Sequence, residues 1–449
     1  MATSVSGILS STTSATGLGT GIDVQQFVQL ATADDTANIT SLQNEQTALG
    51  SQTSALKQIT TDLNNLQSAA FALSDPLGAL GALTTTSSNS SVVSATAAST
   101  AVAGTHTVTV NSLATTSSYY TNAVATSSNP LATGTFQIQV GSIAPVSVTV
   151  NSTDNTLDGL AAAINNLNAG VQANVINDAS GSRLALVSNT SGAPGDLTVS
   201  GNTTGVTFNK AVTGSNASLT VDGVPISSTS NIVTSAIDGV TLNLGSASAG
   251  APVSITIAPD TTQATNAINS FVSAYNTAVN DINAQFAVAA DGTGGGPLES
   301  DGSLREAQSE LLSAAAFSAQ GNGGAVNLAS IGVNLDDDGT LSVDSSTLSS
   351  ALASNYSGVQ SFLQNQTTGF ANNLSNTVTN LTDPSTGVLS LDATGISQSS
   401  SDLGDQISDL QAALAIKQQN LTQVYAQVND TLQELPLLQS QLTQQLAAL

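Results

Sequence analysis

Residues Leu403 to Leu449 read LGDQISD LQAALAI KQQNLTQ VYAQVND TLQELPL LQSQLTQ QLAAL, and the reading of this stretch governs the rest of the chain. Ile407, Leu414, Leu421, Val428, Leu435, Leu442 and Leu449 return at every seventh position. Leu403, Leu410, Val424 and Leu438 occupy part of a companion row. A seven-residue apolar repeat puts both rows on one face of a helix and makes that face a coiled-coil seam. At about 1.5 Å per residue such a helix reaches roughly 70 Å if straight, much longer than an ordinary globular helix. A seam of this length requires a second helix to cover it. The positions beside it include Asp402, Ser408, Asp409, Thr422, Gln423, Asn429, Asp430, Thr443 and Gln444, which hold no alternation of opposite charge. Partner and register are therefore weakly specified. Pro436 removes one backbone donor and predicts a kink or a division of the helix.

The covering helix is found at the other end of the chain. Leu42, Leu49, Leu56 and Leu63 are spaced by seven, Ile59, Leu66 and Leu73 form the second row, and the pattern stops at Asp75-Pro76. Ahead of it, Gly17-Leu18-Gly19-Thr20-Gly21 punctuates a Ser/Thr leader. Asp23 with Gln26 marks the start of a short helix with Ile22, Phe27, Val28 and Leu30 on its apolar face.

Between Leu83 and Pro259 the apolar period falls from seven to two. The Val- and Thr-rich runs 92–97, 106–110, 136–140, 146–150, 172–176, 183–187, 197–200, 219–221, 240–244 and 253–257 suit half-buried antiparallel strands in two subdomains. One short helix interrupts them at Leu157 to Leu167. Helical spacing returns after Pro259: Asp260 and Gln263 open a helix through Phe286, and Ser303 with Glu306 reads as a second capping box. A hairpin is expected at Gly332 to Val343, and further helices at 347–352, 359–363 and 370–381.

The predicted class is thus an α+β multidomain chain. Terminal heptad-repeat helices form a coiled-coil leg, and nested antiparallel β-rich head domains are inserted between them. The expected boundaries are 1–40 and 385–449 for terminal helical segments that order on assembly, and 41–76 with 260–384 for a helical leg. Residues 77–115 with 215–259 make an inner β head, and 116–214 an outer β head with one short helix.

Composition narrows the function. Of 449 residues only 8% are charged, five basic against 30 acidic, for a net charge of -25. Nucleic acid is excluded as a partner because phosphate neutralisation requires clustered Lys and Arg. Without cysteine there is no thiolate chemistry or zinc–thiolate site. No apolar run approaches the length that spans a bilayer, and Met1 to Ser14 lacks the n- and h-regions of a Sec-type signal. A Ser/Thr-rich, charge-poor surface without such a signal points to a dedicated secretion route.

Catalytic constellations are sparse. His106 is the single imidazole and sits in a strand pattern with no spaced Ser or Asp motif. The run Asn334 to Gly339 resembles a calcium loop, but Ser345 stands where such a loop needs Glu, so it reads as a turn. Gly292 to Gly296 lacks the Lys-Ser/Thr of a phosphate loop and reads as linker. No catalytic, cofactor or metal site is expected. Arg305, one of so few cations, reads either as a structural ion pair with Asp301 or as a solvent-facing first-turn residue, and Tyr119 and Tyr120 read as turn packing ahead of a contact patch.

Several of these runs, in this order, resemble the flagellar hook-associated protein 2 family, the filament cap proteins. The resemblance rests on Gly17 to Asp23 followed by Phe27-Val28, on Leu73 to Pro76, and on Gly104 to Ala114. It continues through the Ala-Ile-Asn helix ahead of Gly181-Ser182-Arg183-Leu184-Ala185-Leu186, and through Ile268 to Asn276. Gly296-Pro297-Leu298 with Asp301 and Leu304-Arg305, then Leu328 to Val333 with Gly339 to Asp344, complete it. It implies export through the flagellar type III apparatus with the help of an export chaperone. It also implies an extracellular place at the flagellum tip and self-assembly into a ring, by default a pentamer. Flagellin and the hook–filament junction protein are the implied partners, with no nucleic acid and no membrane insertion. The implied function is a cap that promotes insertion and folding of exported flagellin. Another axial flagellar protein and a surface adhesin are the alternatives.

Overall fold

The computed structural model describes residues 23–153, 155–248, 250–288, 294–319 and 325–447. The Gly17 to Ile22 motif, Leu449, and Gly292 and Thr293 of the glycine-rich linker lie outside the described residues.

In chain order, α1 (Val24–Ala31) and α2 (Ala33–Ser74) precede β1 (Leu83–Ser87), β2 (Val93–Ala97), β3 (Gly104–Ser112), β4 (Thr116–Thr121), β5 (Gly134–Val140) and β6 (Val146–Val150). Next come α3 (Leu157–Asn166), β7 (Val171–Asp178), β8 (Gly181–Ser191), β9 (Leu197–Ser200), β10 (Phe208–Val212) and β11 (Ala217–Val221). Four strands close the sheet region: β12 (Val224–Ser228), β13 (Ile232–Ile237), β14 (Val240–Leu244) and β15 (Val253–Pro259). The last part holds α4 (Thr261–Phe286), α5 (Gly302–Ala315), β16 (Val333–Leu335), β17 (Leu341–Val343), α6 (Ser345–Ser354), α7 (Tyr356–Gln364), α8 (Phe370–Thr382) and α9 (Val388–Ala447).

These elements fall into two compact units. The first is helical and comprises residues 1–74, 268–351 and 357–449. Its longest helices, α2 and α9, run antiparallel. Asp35 meets Lys417, with Nζ 2.7 Å from Oδ2, and Gln46 Nε2 donates to the Ser400 carbonyl at 3.1 Å, so rising numbers on one helix oppose falling numbers on the other. Further along α2, Gln67 Nε2 donates to Thr379 Oγ1 on α8 at 2.7 Å. At that end an aromatic cluster fills the centre, with Phe271 edge-on to Phe370 at 5.4 Å and Phe362 stacked on Phe370 at 5.8 Å.

The second unit, residues 75–267 with 352–356, contains two separate apolar cores. A five-stranded sheet in the order β1-β15-β3-β11-β12 and a three-stranded sheet β13-β14-β2 share the first, centred on Val108, Leu219, Leu242 and Ile255. The sheets β10-β4-β8-β7 and β6-β5-β9, with α3, enclose the second around Phe136, Ile164 and Leu186. Alternation puts one side of the inner strands on their core, as in the buried, half-buried, buried pattern of β14. Asp222 and Gly223, with φ of 49° and 80°, provide the two left-handed residues that a tight hairpin between β11 and β12 requires.

Five strands carry no legible signal in the sequence: β1, β4, β10, β12 and β13. In β4 the core side carries Ser117 and Thr121 on either side of Tyr119, and the polarity of the two hides the alternation. They are buried because each has a partner: Ser117 Oγ donates to the Val212 carbonyl, and Thr121 Oγ1 accepts from the Leu184 N–H at 2.9 Å. Pro225 similarly disguises β12, which tolerates it as the outermost strand of its sheet. One helix start also differs from expectation. The capping residue of α5 is Asp301, accepting from the Leu304 N–H at 3.0 Å, because Asp301 precedes Ser303 and claims the first free donors. The last helix begins at Val388, shortly after Asp383-Pro384 as expected, and continues through Pro436 as a single element, so the proline does not divide it.

Candidate functional site

The seam residues of α2 and α9 occupy graded environments within the helical unit. Leu56, Ile59, Leu63 and Leu66 are fully buried, packed where α8 joins the bundle. Leu42 and Leu49 are half-buried, in the part of α2 that runs along α9. On α9 the order reverses with chain direction: Ile407 is buried at 6% exposure, while Leu403, Leu410, Leu414 and Leu421 are half-buried. From Val424 the seam opens. Val424, Val428, Leu435 and Leu442 are 54, 42, 47 and 61% exposed, and Leu438 and Leu446 continue the exposed apolar row.

In this region α1 packs against α9. Phe27 lies 5.8 Å from Tyr425, ring to ring, the last aromatic contact along that face. Two polar anchors flank it: Lys417 on Asp35, and Gln418 Nε2 donating to Thr32 Oγ1 at 3.4 Å. An exposed ion pair of this kind adds little stability. Beside the anchors lies an open groove of about 760 Å³ lined by Gln29, Ala33, Thr36, Ala37, Thr40 and Gln418. Its small side chains let another backbone approach closely.

Asp301 and Arg305 do not pair. Among the described residues the Lys and Arg ion pairs are Arg183–Asp178, Lys210–Asp196 and Lys417–Asp35. The Arg305 guanidinium instead donates to the Glu299 carbonyl at 2.8 Å and lies 4.7 Å from the centre of the Phe286 ring. The reason is local: the Asp301 carboxylate is already committed to the first turn of α5, and the aromatic face with a fixed carbonyl offers Arg305 a preorganised seat.

The remaining candidates have structural settings. His106 Nδ1 lies 2.8 Å from Asp222 Oδ2, and the Thr107 N–H donates to Asp222 Oδ1 at 2.7 Å. These contacts, the backbone donor foremost, hold the Asp222 carboxyl below its ordinary range and pin the β11–β12 turn. In the Asn334 to Gly339 run, Asp338 Oδ1 accepts from Thr340 N–H and Oγ1, and Asp336 Oδ1 accepts from Ser342 Oγ, so the acidic oxygens close a turn. Tyr120 is exposed beneath Arg183 at 5.9 Å, and Lys210 lies 5.7 Å from the Tyr119 ring. No helix of the described residues is long and apolar enough to cross a membrane.

The Phe27–Tyr425 contact and the groove were not read from the sequence. Scarcity was the available signal for the first, since aromatics make up only 3% of the chain and one of them stands at each end.

Comparisons with known proteins agree with this architecture. The family models described as flagellar hook-associated protein 2 N-terminus and C-terminus match residues 20–117 and 214–436. The chain is 32% identical over 461 aligned positions to the B-type flagellar hook-associated protein 2 of Pseudomonas aeruginosa, with 95% of each chain covered. Its identity to the flagellar hook-associated protein 2 of Escherichia coli is 29% over 414 positions, covering 86% of this chain and 87% of that one. The crystal structure of three domains of the flagellar cap protein FliD from Escherichia coli superposes with a TM-score of 0.58 at 29% identity, covering 76% of this chain and 99% of that chain. An identity of this extent along almost the whole length, with both family models in order, makes the chain a member of the flagellar hook-associated protein 2 family.

Proposed function

We propose that the chain caps the flagellar filament, sitting at its tip as a ring of identical subunits and guiding exported flagellin into the lattice. The observation that carries this reading is the divided seam of α9 in a member of this family. The seam is covered within the chain as far as Leu421 and bare from Val424 onward. The covered part anchors the leg, and the bare part offers an apolar row to helices of the filament. Residues 41–76 with 260–384 serve as the leg. Residues 77–115 with 215–259 form the inner head and 116–214 the outer head, supported by the two separate apolar cores. The ring is a pentamer in this proposal, the hook–filament junction protein is its first neighbour, and a chaperone accompanies the chain to the type III apparatus.

Deleting the gene tests the function. Cells should keep their hooks and shed unpolymerised flagellin into the medium; normal filaments on such cells would overturn the reading.

The bare seam also suggests how a cap advances. Because no pattern of opposite charges fixes the register, a leg can release one site and engage the next as each subunit is added. Charge pairs built beside the bare row, at Asp430 and Thr443, to lock one register should slow filament elongation severalfold, measured by pulse-labelled filament length. Unchanged elongation would exclude stepping by register exchange.

A further inference from the structure

An open sheet edge is a template on which another chain can add a strand, and several edges of the sheet unit are closed by separate devices. In the five-stranded sheet, β1 is tied to β2 by its own side chains, Thr85 Oγ1 donating to the Ala95 carbonyl and Ser87 Oγ to the Val93 carbonyl. β10 carries Lys210 and an irregular register between Lys210 and Val212, and β13 breaks register between Val233 and Ile237. At β7 the Asn165 amide on α3 takes both backbone groups of Ala173, donating to the carbonyl at 2.9 Å and accepting from the N–H at 2.8 Å. β12, the other edge of the five-stranded sheet, shows none of these devices. It pairs with β11 in unbroken register over its five residues and carries no charged side chain.

What β12 has instead is Pro225. Val221 and Val224 face each other across the Asp222-Gly223 turn, and the pair that closes a two-residue hairpin exchanges both of its hydrogen bonds. Bonding direction alternates from there. Val224, Ile226 and Ser228 turn their N–H and C=O groups to β11, while Pro225 and Ser227 face outward. The Asp222 N–H, donating to the Thr107 carbonyl on β3 at 2.9 Å, fits the same alternation. Pro225 and Ser227 are both exposed. A second β12 laid antiparallel about Ile226 would set residue 225 of each chain against residue 227 of the other. With an N–H at both positions each such pair would exchange two hydrogen bonds. With Pro225 one donor of each pair is missing, and the proline ring stands where that N–H would reach across.

We propose that Pro225 is an edge guard, which keeps β12 of one copy from pairing with β12 of a second copy and joining their five-stranded sheets into one. The partner it excludes is the chain itself, because this edge is self-complementary. Its two outward residues lie evenly about Ile226, as the two-fold of an antiparallel pair of identical strands requires. In a chain of net charge -25, β12 also brings no charge that would repel its copy. The exposed Val224 side chain, at 58%, adds apolar area that such pairing would cover. The guard does not depend on the capping role, since any crowding of identical copies brings these edges together.

Hydrogen exchange on the full chain, followed at rising protein concentration, tests the guard. Pro225→Thr supplies the missing N–H and places a β-branched side chain opposite Thr220, a favourable cross-strand pair. In this variant the amides of residues 225 and 227 should gain roughly tenfold protection between about 1 and about 100 µM, as mass action fills the edge. In the native chain the Ser227 amide should keep one rate across that range. Adding Ser227→Pro to the variant removes the symmetry-related donor and should return the residue 225 amide to a rate independent of concentration. Pro225→Val serves the same purpose if the Thr variant does not fold. Exchange that is independent of concentration in the folded variant would overturn the proposal. So would protection of native Ser227 that rises as steeply as in the variant, or a rise that survives Ser227→Pro.

Discussion

Leu63→Ala is expected to destabilise the helical unit by about 2–5 kcal/mol, the range for removing a fully buried leucine whose surroundings cannot collapse. Leu63 is 0% exposed and packs between α2 and its neighbours with Leu56, Ile59 and Leu66. Truncating it forfeits the transfer of its side chain from water and leaves a cavity as well. Leu442→Ala, a change of the same chemistry on the same kind of heptad row, should cost less than about 0.5 kcal/mol, because Leu442 is 61% exposed and has little burial to lose. Denaturant unfolding followed by circular dichroism reads both effects, provided the helical transition is resolved from that of the sheet unit. Equal losses in the two variants would mean that the end of α9 is covered in the isolated protein.

The second large effect is on assembly. Leu435→Asp together with Leu442→Asp should leave the midpoint of unfolding within about 2 °C of the native value, since neither residue belongs to a core. The same double variant should abolish capping. Each aspartate would have to be desolvated in any apolar seam that α9 joins, and an unpaired buried charge costs several kcal/mol. Cells carrying it should resemble the deletion strain, with hooks present and flagellin in the medium. Normal filaments would show that the exposed row beyond Val424 is not the working surface, and attention would move to the groove beside Ala33 and Ala37.

These variants separate two roles that a heptad pattern cannot distinguish. Leu63 and Leu442 are equivalent in the sequence: leucines at seventh positions, flanked by polar residues. A repeat records that a helix face must be covered, because exposed apolar area is unfavourable wherever it occurs. It does not record whether the covering helix belongs to the same chain. Burial supplies that distinction, and it places the boundary between Leu421 and Val424.

Other features were legible to different depths. The strands with Val or Ile on the core side, such as β5, β14 and β15, were readable because alternation survives in the side-chain chemistry. β4 was not, because Ser117 and Thr121 enter the core through hydrogen bonds that depend on strands distant in sequence. Asp260 with Gln263 correctly marked a helix start, a local signal satisfied by local bonds at 3.0 and 3.1 Å. The expected pairing of Asp301 with Arg305 failed for the converse reason. Opposite charges four residues apart attract weakly at a surface, and the Phe286 ring on another helix outweighs that attraction.

By itself the sequence determined the period of each region, seven at both ends and two in the middle. It also carried the net charge of -25 and the ordered motifs through which the family is recognisable. Periodicity and charge are properties of the chain as written, and the folded state inherits them. Only the tertiary structure decided which half of the C-terminal seam is satisfied and where Arg305 goes. Those outcomes depend on which side chains separate elements of the fold bring to the same few ångströms, where burial sets the energy.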